Sequence, residues 1–186
     1  METMGGTRRS RRQARLAHKL ARRCRKLSLV ACTISANWRE SGRARLLVVR
    51  EGKDRRMVVA RFVVDLWCMG LLSAELCADV GMSALSALRA ETYGEAAPLA
   101  CPPELAATIV YGGIEYAARL GFSPDPAWDI AQHALPEPPP AEARPPVAFG
   151  RDGKPCYVAG AGDDERVLAR LDQRLGPDDY HVLLPD

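Results

Sequence analysis

Basic side chains are concentrated at the start of the chain, where they could neutralise phosphate groups. Residues 1–26 contain ten Lys and Arg and one acid, a net charge near +9, whereas the remaining residues contain sixteen bases and twenty-two acids, a net charge near −6. A solvated segment this basic is typical of contact with nucleic acid, a ribosome or an anionic lipid surface. The predicted contact residues are Arg8, Arg9, Arg11, Arg12, Arg15, Lys19, Arg22, Arg23, Arg25 and Lys26.

The basic arm, residues 1–28, is expected to hold phosphates rather than to read base sequence. With six to eight side chains on phosphates, log K for binding would fall with log salt with a slope of about −5 to −7. The arm has no Phe, Trp or Tyr for base stacking, and Gln13 is its one amide side chain. Two other interpretations stay open: a solvated face whose leucines pack on the body, and binding to a membrane surface, for which the apolar face is narrow.

Three carboxylates suggest a different chemistry, that of a metal-dependent hydrolase or nuclease. Two-metal catalysis needs acids that converge from separate elements. Asp65 at a strand end, Glu115 on a long helix and Asp152 or Asp163 near the C-terminus could supply them. Asp65 is also placed to end or cap a strand, and Glu115 to be a solvated helical acid. The metal site is therefore the alternative hypothesis.

The remaining motifs predict no cofactor and no bound metal. Gly160 and Gly162 precede a helix, but the segment lacks a P-loop lysine and a third glycine, and acids follow where an anion would sit. The three histidines are far apart and have no spaced partner. Six cysteines stand singly, without a Cys-x-x-Cys pair, and are expected to be free thiols in a reducing cytosol: Cys24, Cys32, Cys68, Cys77, Cys101 and Cys156.

The arm is predicted to be an amphipathic helix. Residues 7–27 contain neither Gly nor Pro and are rich in Ala, Leu, Arg and Lys, which are good helix formers. Leu16, Leu20, Cys24 and Leu27 fall on one stripe at helical spacing, opposite most of the bases. The arm is therefore expected to present its charges on one side.

Residues 29–134 are predicted to form an α+β core. Two Val-rich runs, 45–50 and 57–65, are joined by a turn-forming segment and predict a hairpin whose second strand lies inside a sheet. Residues 66–78 are interpreted as a buried helix and residues 79–100 as irregular. Prolines before Glu104 and the Gly121 stop predict a helix over 104–120, and its Gly112-Gly113 pair indicates close packing against another backbone.

The C-terminal part is predicted to be a separate unit on a linker. Residues 135–146 contain six prolines and are expected to be an extended, semi-rigid connection rather than core. Residues 147–186 are interpreted as a β-β-α-β unit packed on the core, with a tight turn at Asp152-Gly153. The fold class is thus α+β with a small mixed or antiparallel sheet.

No apolar run is long enough to predict a membrane span, and no signal peptide is indicated. A soluble, cytoplasmic protein is therefore expected. The abundance of Ala, Arg, Gly and Pro favours a bacterial source. A mitochondrial transit peptide remains an alternative for the arm in a eukaryotic source.

Four blocks in the same order resemble a family of uncharacterised bacterial proteins with no assigned activity. They are ISANW at 34–38, FVVDLWCMG at 62–70, IVYGGIEYA at 109–117 with LGF at 120–122, and FGRDGKP at 149–155. Family members tend to have Val-Lys-Asp after the glycine that matches Gly70, where this chain has Leu71-Leu72-Ser73. Any chemistry of that Lys-Asp pair is therefore not implied for this chain.

The sequence as a whole favours a non-catalytic binding protein that contacts nucleic acid or a nucleoprotein complex, with RNA or the ribosome preferred. The enzyme that would use Asp65, Glu115 and Asp152 is one alternative. A protein–protein interaction or assembly subunit, in which the acidic body binds a basic partner or another copy, is the other.

Overall fold

The computed structural model describes residues 23–94, 97–160 and 164–184, and its largest feature is a five-stranded antiparallel sheet. The strand order is β4-β3-β2-β1-β5. The strands are β1 (Leu29–Ser35), β2 (Arg43–Glu51), β3 (Met57–Asp65), β4 (Gly70–Val80) and β5 (Pro98–Ala100). The sheet with its packed helices confirms the predicted α+β class.

Strands β2 and β3 form the predicted hairpin. They pair in continuous register from Arg43 opposite Asp65 to Glu51 opposite Met57. The turn is closed by a hydrogen bond from the Gly52 N–H to the Arg56 carbonyl oxygen at 2.7 Å. Because β4 pairs on its other side, β3 is an inner strand, as its nearly continuous apolar sequence predicted.

The buried helix predicted over 66–78 is wrong, because the chain turns at 66–69 and then forms β4. Leu, Ala and Glu in this segment are good helix formers, but pairing with β3 overrides the local preference. Gly70 begins β4 at a φ of +68°, a left-handed conformation that glycine adopts without strain. Strands β2, β3 and β4 thus form a three-stranded antiparallel meander.

Four helices lie wholly within the described residues, and one of them is found where irregular structure was expected. They are α1 (Met82–Tyr93), α2 (Pro103–Arg119), α3 (Trp128–Ala131) and α4 (Asp164–Arg174), with 3-10 turns at Gln132–Ala134 and Ala141–Ala143. Residues 79–100 were expected to be irregular, and helix α1 shows that this expectation is wrong. Leu85 and Tyr93 are its buried apolar residues, and two such positions are too few to form a recognisable helical pattern in the sequence. Helix α2 confirms the prediction within one residue at each end.

The sheet buries both of its faces, because successive side chains of a strand point to opposite sides. On one face Leu46 and Phe62 belong to the same apolar cluster as Ile109 of α2. On the other face Leu47 and Val59 cluster with residues of α1. Helix α1 covers only part of this face. At the start of β2, Arg43 and Arg45 remain exposed to solvent.

The predicted close packing of Gly112 and Gly113 is confirmed. A Cβ atom on Gly113 would lie 2.7 Å from the Val64 Cγ1, and one on Gly112 would lie 2.6 Å from the Phe149 Cζ. A Cβ atom on Gly70 would lie 2.5 Å from the Gly113 carbonyl oxygen. These glycines therefore let α2 approach the β3–β4 turn directly.

The C-terminal unit is β-α-β rather than β-β-α-β. Strand β6 (Cys156–Val158) and strand β7 (His181–Leu183) pair in parallel, with α4 between them. Residues 147–150 form no strand, and the predicted Asp-Gly turn is present as an isolated bridge between Arg151 and Lys154. Parallel pairing requires a crossover connection, which α4 supplies.

The proline-rich segment 135–146 lies against the body rather than apart from it. Leu135 is completely buried in the main apolar cluster, which corrects its assignment to a linker. The Arg144 guanidinium donates to both carboxylate oxygens of Glu115 on α2, at 2.9 and 3.2 Å.

Within the described ranges, no helix is long and apolar enough to cross a membrane.

Candidate nucleic-acid interface

The end of the basic arm is built into the body. A helix ends at Cys24, whose side chain has no exposed surface, and Leu27 packs against the same apolar cluster. Arg23 and Lys26 are exposed. Residues 23–27 are therefore the anchored base of the arm, and two of its predicted phosphate contacts face solvent.

The Arg25 side chain binds residues of the body. Its guanidinium donates to the Leu135 carbonyl oxygen at 3.0 Å, to the Glu137 carboxylate at 2.8 Å and to the Tyr111 hydroxyl at 3.2 Å. Its charge is therefore paired within the protein. The other predicted contacts, Arg8, Arg9, Arg11, Arg12, Arg15, Lys19 and Arg22, lie outside the described residues, as does the predicted helix over 7–22.

Arg50 of β2 binds the backbone of the anchored base of the arm. It is 7% exposed, and its guanidinium donates to the carbonyl oxygens of Ala134 at 2.8 Å, Leu27 at 2.7 Å and Arg25 at 3.4 Å. The Arg25 and Leu27 carbonyls lie in the turn after the helix that ends at Cys24, and the Ala134 carbonyl ends a 3-10 turn, so Arg50 satisfies acceptors that have left their helical segments. Arg50 thus joins the arm, the segment after α3 and the sheet, a role that its place in a Val-rich strand did not indicate.

Replacing Arg50 by methionine is expected to lower the free energy of unfolding by about 2–3 kcal/mol, because three carbonyls lose a charged donor. Arg45→Met is the matched control on the same strand. Arg45 is exposed and, among the described residues, its side chain forms no hydrogen bond or ion pair, so about 0.5 kcal/mol or less is expected. Urea denaturation measures both values, and equal effects would contradict the anchoring role.

The open end of the sheet face beside α1 carries further cations. Arg43 and Arg45 are exposed there, whereas Arg61 is neutralised by two carboxylates, Glu75 and Glu91. The Arg61–Glu91 contact is 2.8 Å. This surface can therefore offer two guanidinium groups to an anion, but none of the described residues places an exposed aromatic ring beside them for base stacking.

A cleft of about 370 Å³ lies between the β1–β2 turn, the β3–β4 turn and residues 146–152. Two cations line it, each over an indole ring: the Arg39 guanidinium lies 4.0 Å from the Trp38 ring centre and that of Arg151 lies 5.1 Å from the Trp67 ring centre. Glu40 and Asp152 line the same cleft, so the charges in its wall balance. Trp38 is buried, so its ring is not an open stacking platform.

The three carboxylates of the alternative metal site have separate partners. Asp65 caps the β3–β4 turn: its Oδ1 accepts from the Trp67 N–H at 2.9 Å and the Cys68 N–H at 3.3 Å, and its Oδ2 from the Met69 N–H at 2.9 Å. Glu115 is paired with Arg144, and Asp152 is an exposed turn residue. Across the described ranges no three His, Cys, Asp or Glu side chains are grouped to hold a metal ion.

The capping role of Asp65 has a consequence for its titration. Burial raises the pKa of Asp65 and outweighs the three N–H donors, whereas the Arg61 guanidinium lowers the pKa of Glu75. Asp65 therefore stabilises the fold most below its unfolded pKa of about 4, and this contribution is lost as the pH rises through its folded pKa. The contribution of Glu75 is instead lost as the pH falls.

An NMR titration of the side-chain carboxyl carbons is expected to place the midpoint of Asp65 above, and that of Glu75 below, the usual carboxyl range. A midpoint for Asp65 below the usual carboxyl range would show that the N–H donors dominate over burial.

The β3–β4 turn, helix α2 and residues 149–156 meet in one region. The Gly150 N–H donates to the Leu66 carbonyl oxygen, and the Cys156 N–H to that of Trp67, both at 2.9 Å. The Phe149 ring stacks on Tyr116 with ring centres 5.7 Å apart. The β3–β4 turn, the middle of α2 and residues 149–156 therefore support one another through backbone contacts and ring packing.

Comparisons with known proteins give no match: no protein family, no curated protein and no solved structure is similar to this chain.

Proposed function

We propose that the protein is a non-catalytic binding protein that contacts nucleic acid or a nucleoprotein complex, RNA or the ribosome above all, through its basic N-terminal arm. The division of charge along the chain carries the proposal, because residues 1–26 hold ten of the twenty-six Lys and Arg residues and one of the twenty-three acids. A cytoplasmic, bacterial setting is part of the proposal.

The anchored base of the arm supports this function. Arg50 and Arg25 fix residues 23–27 on the body, and Arg23 and Lys26 face solvent beside that anchor. A phosphate chain that binds the arm would therefore be held at a defined place on the protein. Phosphate contacts position a ligand without reading its sequence, so binding is expected to be tolerant of base sequence.

The test uses the full chain, because Cys24 and Leu27 belong to the core and a chain that starts at Ser28 would lose them. In the arm variant, glutamine replaces Arg8, Arg9, Arg11, Arg12 and Arg15. In the control variant, glutamine replaces five exposed body residues whose side chains form no hydrogen bond or ion pair with described residues: Lys53, Arg55, Arg89, Arg119 and Arg174. Both variants lose the same charge.

Fluorescence anisotropy with a labelled unstructured RNA is expected to show weaker binding for the arm variant and near-normal binding for the control. Double-stranded DNA of equal length serves as the second probe. Equal losses in the two variants would show that net charge, not the arm, governs binding. Undetectable binding of both probes by the unaltered protein at low salt would overturn the proposal.

A further inference from the structure

Two cysteines oppose one another across the pairing of β1 with the edge strand β5. Thr33 pairs with Ala100, and the ladder continues one step because the Cys101 N–H donates to the Cys32 carbonyl oxygen at 2.9 Å. Directly opposed residues of an antiparallel pair send their side chains to the same face. Cys32 and Cys101 therefore point together into the main apolar cluster, to which both belong.

The spacing of such a pair suits a disulfide. Opposed residues in an antiparallel sheet have Cβ atoms about 4.5–5.5 Å apart, and a disulfide has Cβ atoms about 3.5–4.5 Å apart. Because the strands are already hydrogen-bonded here, the sulfurs would meet by side-chain rotation and a small change of local twist. Strand β5 has three residues, all exposed, and within the described residues pairs with β1 alone, so it can absorb this change at little cost.

The two thiols are chemically unequal. A hydrogen bond from the Cys32 thiol lowers the pKa of Cys101, and the Ala106 N–H in the first turn of α2 adds to this effect against the opposing effect of burial. The same hydrogen bond, together with burial, raises the pKa of Cys32. Cys101, whose Sγ donates to the Pro102 carbonyl oxygen at 3.4 Å in the reduced protein, therefore ionises more readily than Cys32. The thiolate is the nucleophile in thiol–disulfide exchange, so Cys101 is the attacking member of the pair.

We propose that Cys32 and Cys101 form a redox-active dithiol that a small disulfide, such as oxidised glutathione, converts to an intramolecular disulfide. The Cys101 thiolate attacks one glutathione sulfur, which forms a mixed disulfide and releases one glutathione thiolate. Cys32 then attacks the Cys101 sulfur, its proton passes to the departing second glutathione, and the protein disulfide forms. Two electrons move from the protein to glutathione, which leaves as one thiol and one thiolate; the thiolate takes up from the solvent the proton that Cys101 gave up on ionising.

The other four cysteines are less suited to this reaction. Burial raises the pKa of Cys68 to about 12 and that of Cys77 to about 11, so both favour the thiol at neutral pH. Burial also raises the pKa of Cys24 and Cys156. Cys156 lies close enough to Cys68 to raise the pKa of Cys68 through space, so these two cysteines form the competing pair.

The experiment treats reduced, full-length protein with oxidised glutathione, blocks the remaining thiols with an alkylating agent and maps the peptides by mass spectrometry. The expected product is a Cys32–Cys101 linked peptide with the other four thiols alkylated. Cys77→Ser is the control that should give the same product. Cys32→Ser should accumulate glutathione on Cys101, and Cys101→Ser should give neither product.

Near-UV circular dichroism of each variant establishes that the fold is retained. A link between Cys68 and Cys156, or six alkylated cysteines in the treated, folded, unaltered protein, would overturn the proposal. So would a Cys101→Ser variant that reacts with glutathione as fast as the unaltered protein, since Cys101 would then not be the nucleophile.

Discussion

Replacing Gly70 by valine is expected to lower the free energy of unfolding by about 4 kcal/mol. The φ of Gly70 is +68°, which a β-branched residue adopts only with strain. A Cβ atom there would also lie 2.5 Å from the Gly113 carbonyl oxygen and 2.6 Å from the Ala117 Cβ. Because the first of these neighbours is backbone, α2 must move away from the β3–β4 turn. Guanidinium denaturation followed by circular dichroism measures the loss.

Gly153→Val separates the steric effect from the backbone effect. Gly153 has a φ of +81°, but no atom of the described residues lies within 4 Å of a Cβ built on it. This control therefore has only the backbone strain, about 1–3 kcal/mol. If both variants lose the same stability, the close approach of Gly70 to Gly113 contributes nothing, and the packing role of the glycine pair is wrong.

The affinity of the full chain for single-stranded RNA is expected to fall about 10³–10⁴-fold between 50 and 200 mM salt. The reason is the release of condensed counterions when arm side chains neutralise phosphates, which gives a slope of log K against log salt of about −5 to −7. A titration by fluorescence anisotropy at several salt concentrations measures this slope.

The five-glutamine arm variant is expected to reduce the magnitude of that slope by about 4, since each lost phosphate contact contributes about 0.7–0.9. The five-glutamine body variant should leave the slope unchanged within error. If the arm variant has the same slope as the unaltered protein, the five replaced arginines make no phosphate contacts, even if the two proteins differ in affinity for RNA.

Elements with local signals could be predicted from the sequence. The β2–β3 hairpin has turn residues between two Val-rich runs, and α2 has prolines at its start and Gly121 after its end, so both were found close to their observed bounds. Gly112 and Gly113 indicated close packing because glycine inside a helix otherwise lowers stability. These features depend on residues that are neighbours in sequence.

Features that depend on distant pairing were missed. Strand β4 is built from helix-forming residues and exists because β3 offers it a partner, which no local pattern shows. Residues 147–150 form no strand, and the Gly150 N–H donates instead to the distant Leu66 carbonyl oxygen. In the candidate site, the roles of Arg25 and Arg50 arise from carbonyls about 80–110 residues away in sequence, and charge counting alone treats both as ordinary cations.

The two attachments of the arm differ in how far the ions of the medium can reach them. The Arg50 guanidinium is buried and binds backbone carbonyls, whereas the Arg25 guanidinium pairs with a Glu137 carboxylate that is 81% exposed. Dissolved salt screens an exposed ion pair strongly and a buried contact much less. Concentrated salt should thus dissociate a polyanion from the protein while the root of the arm stays fastened to the sheet through Arg50.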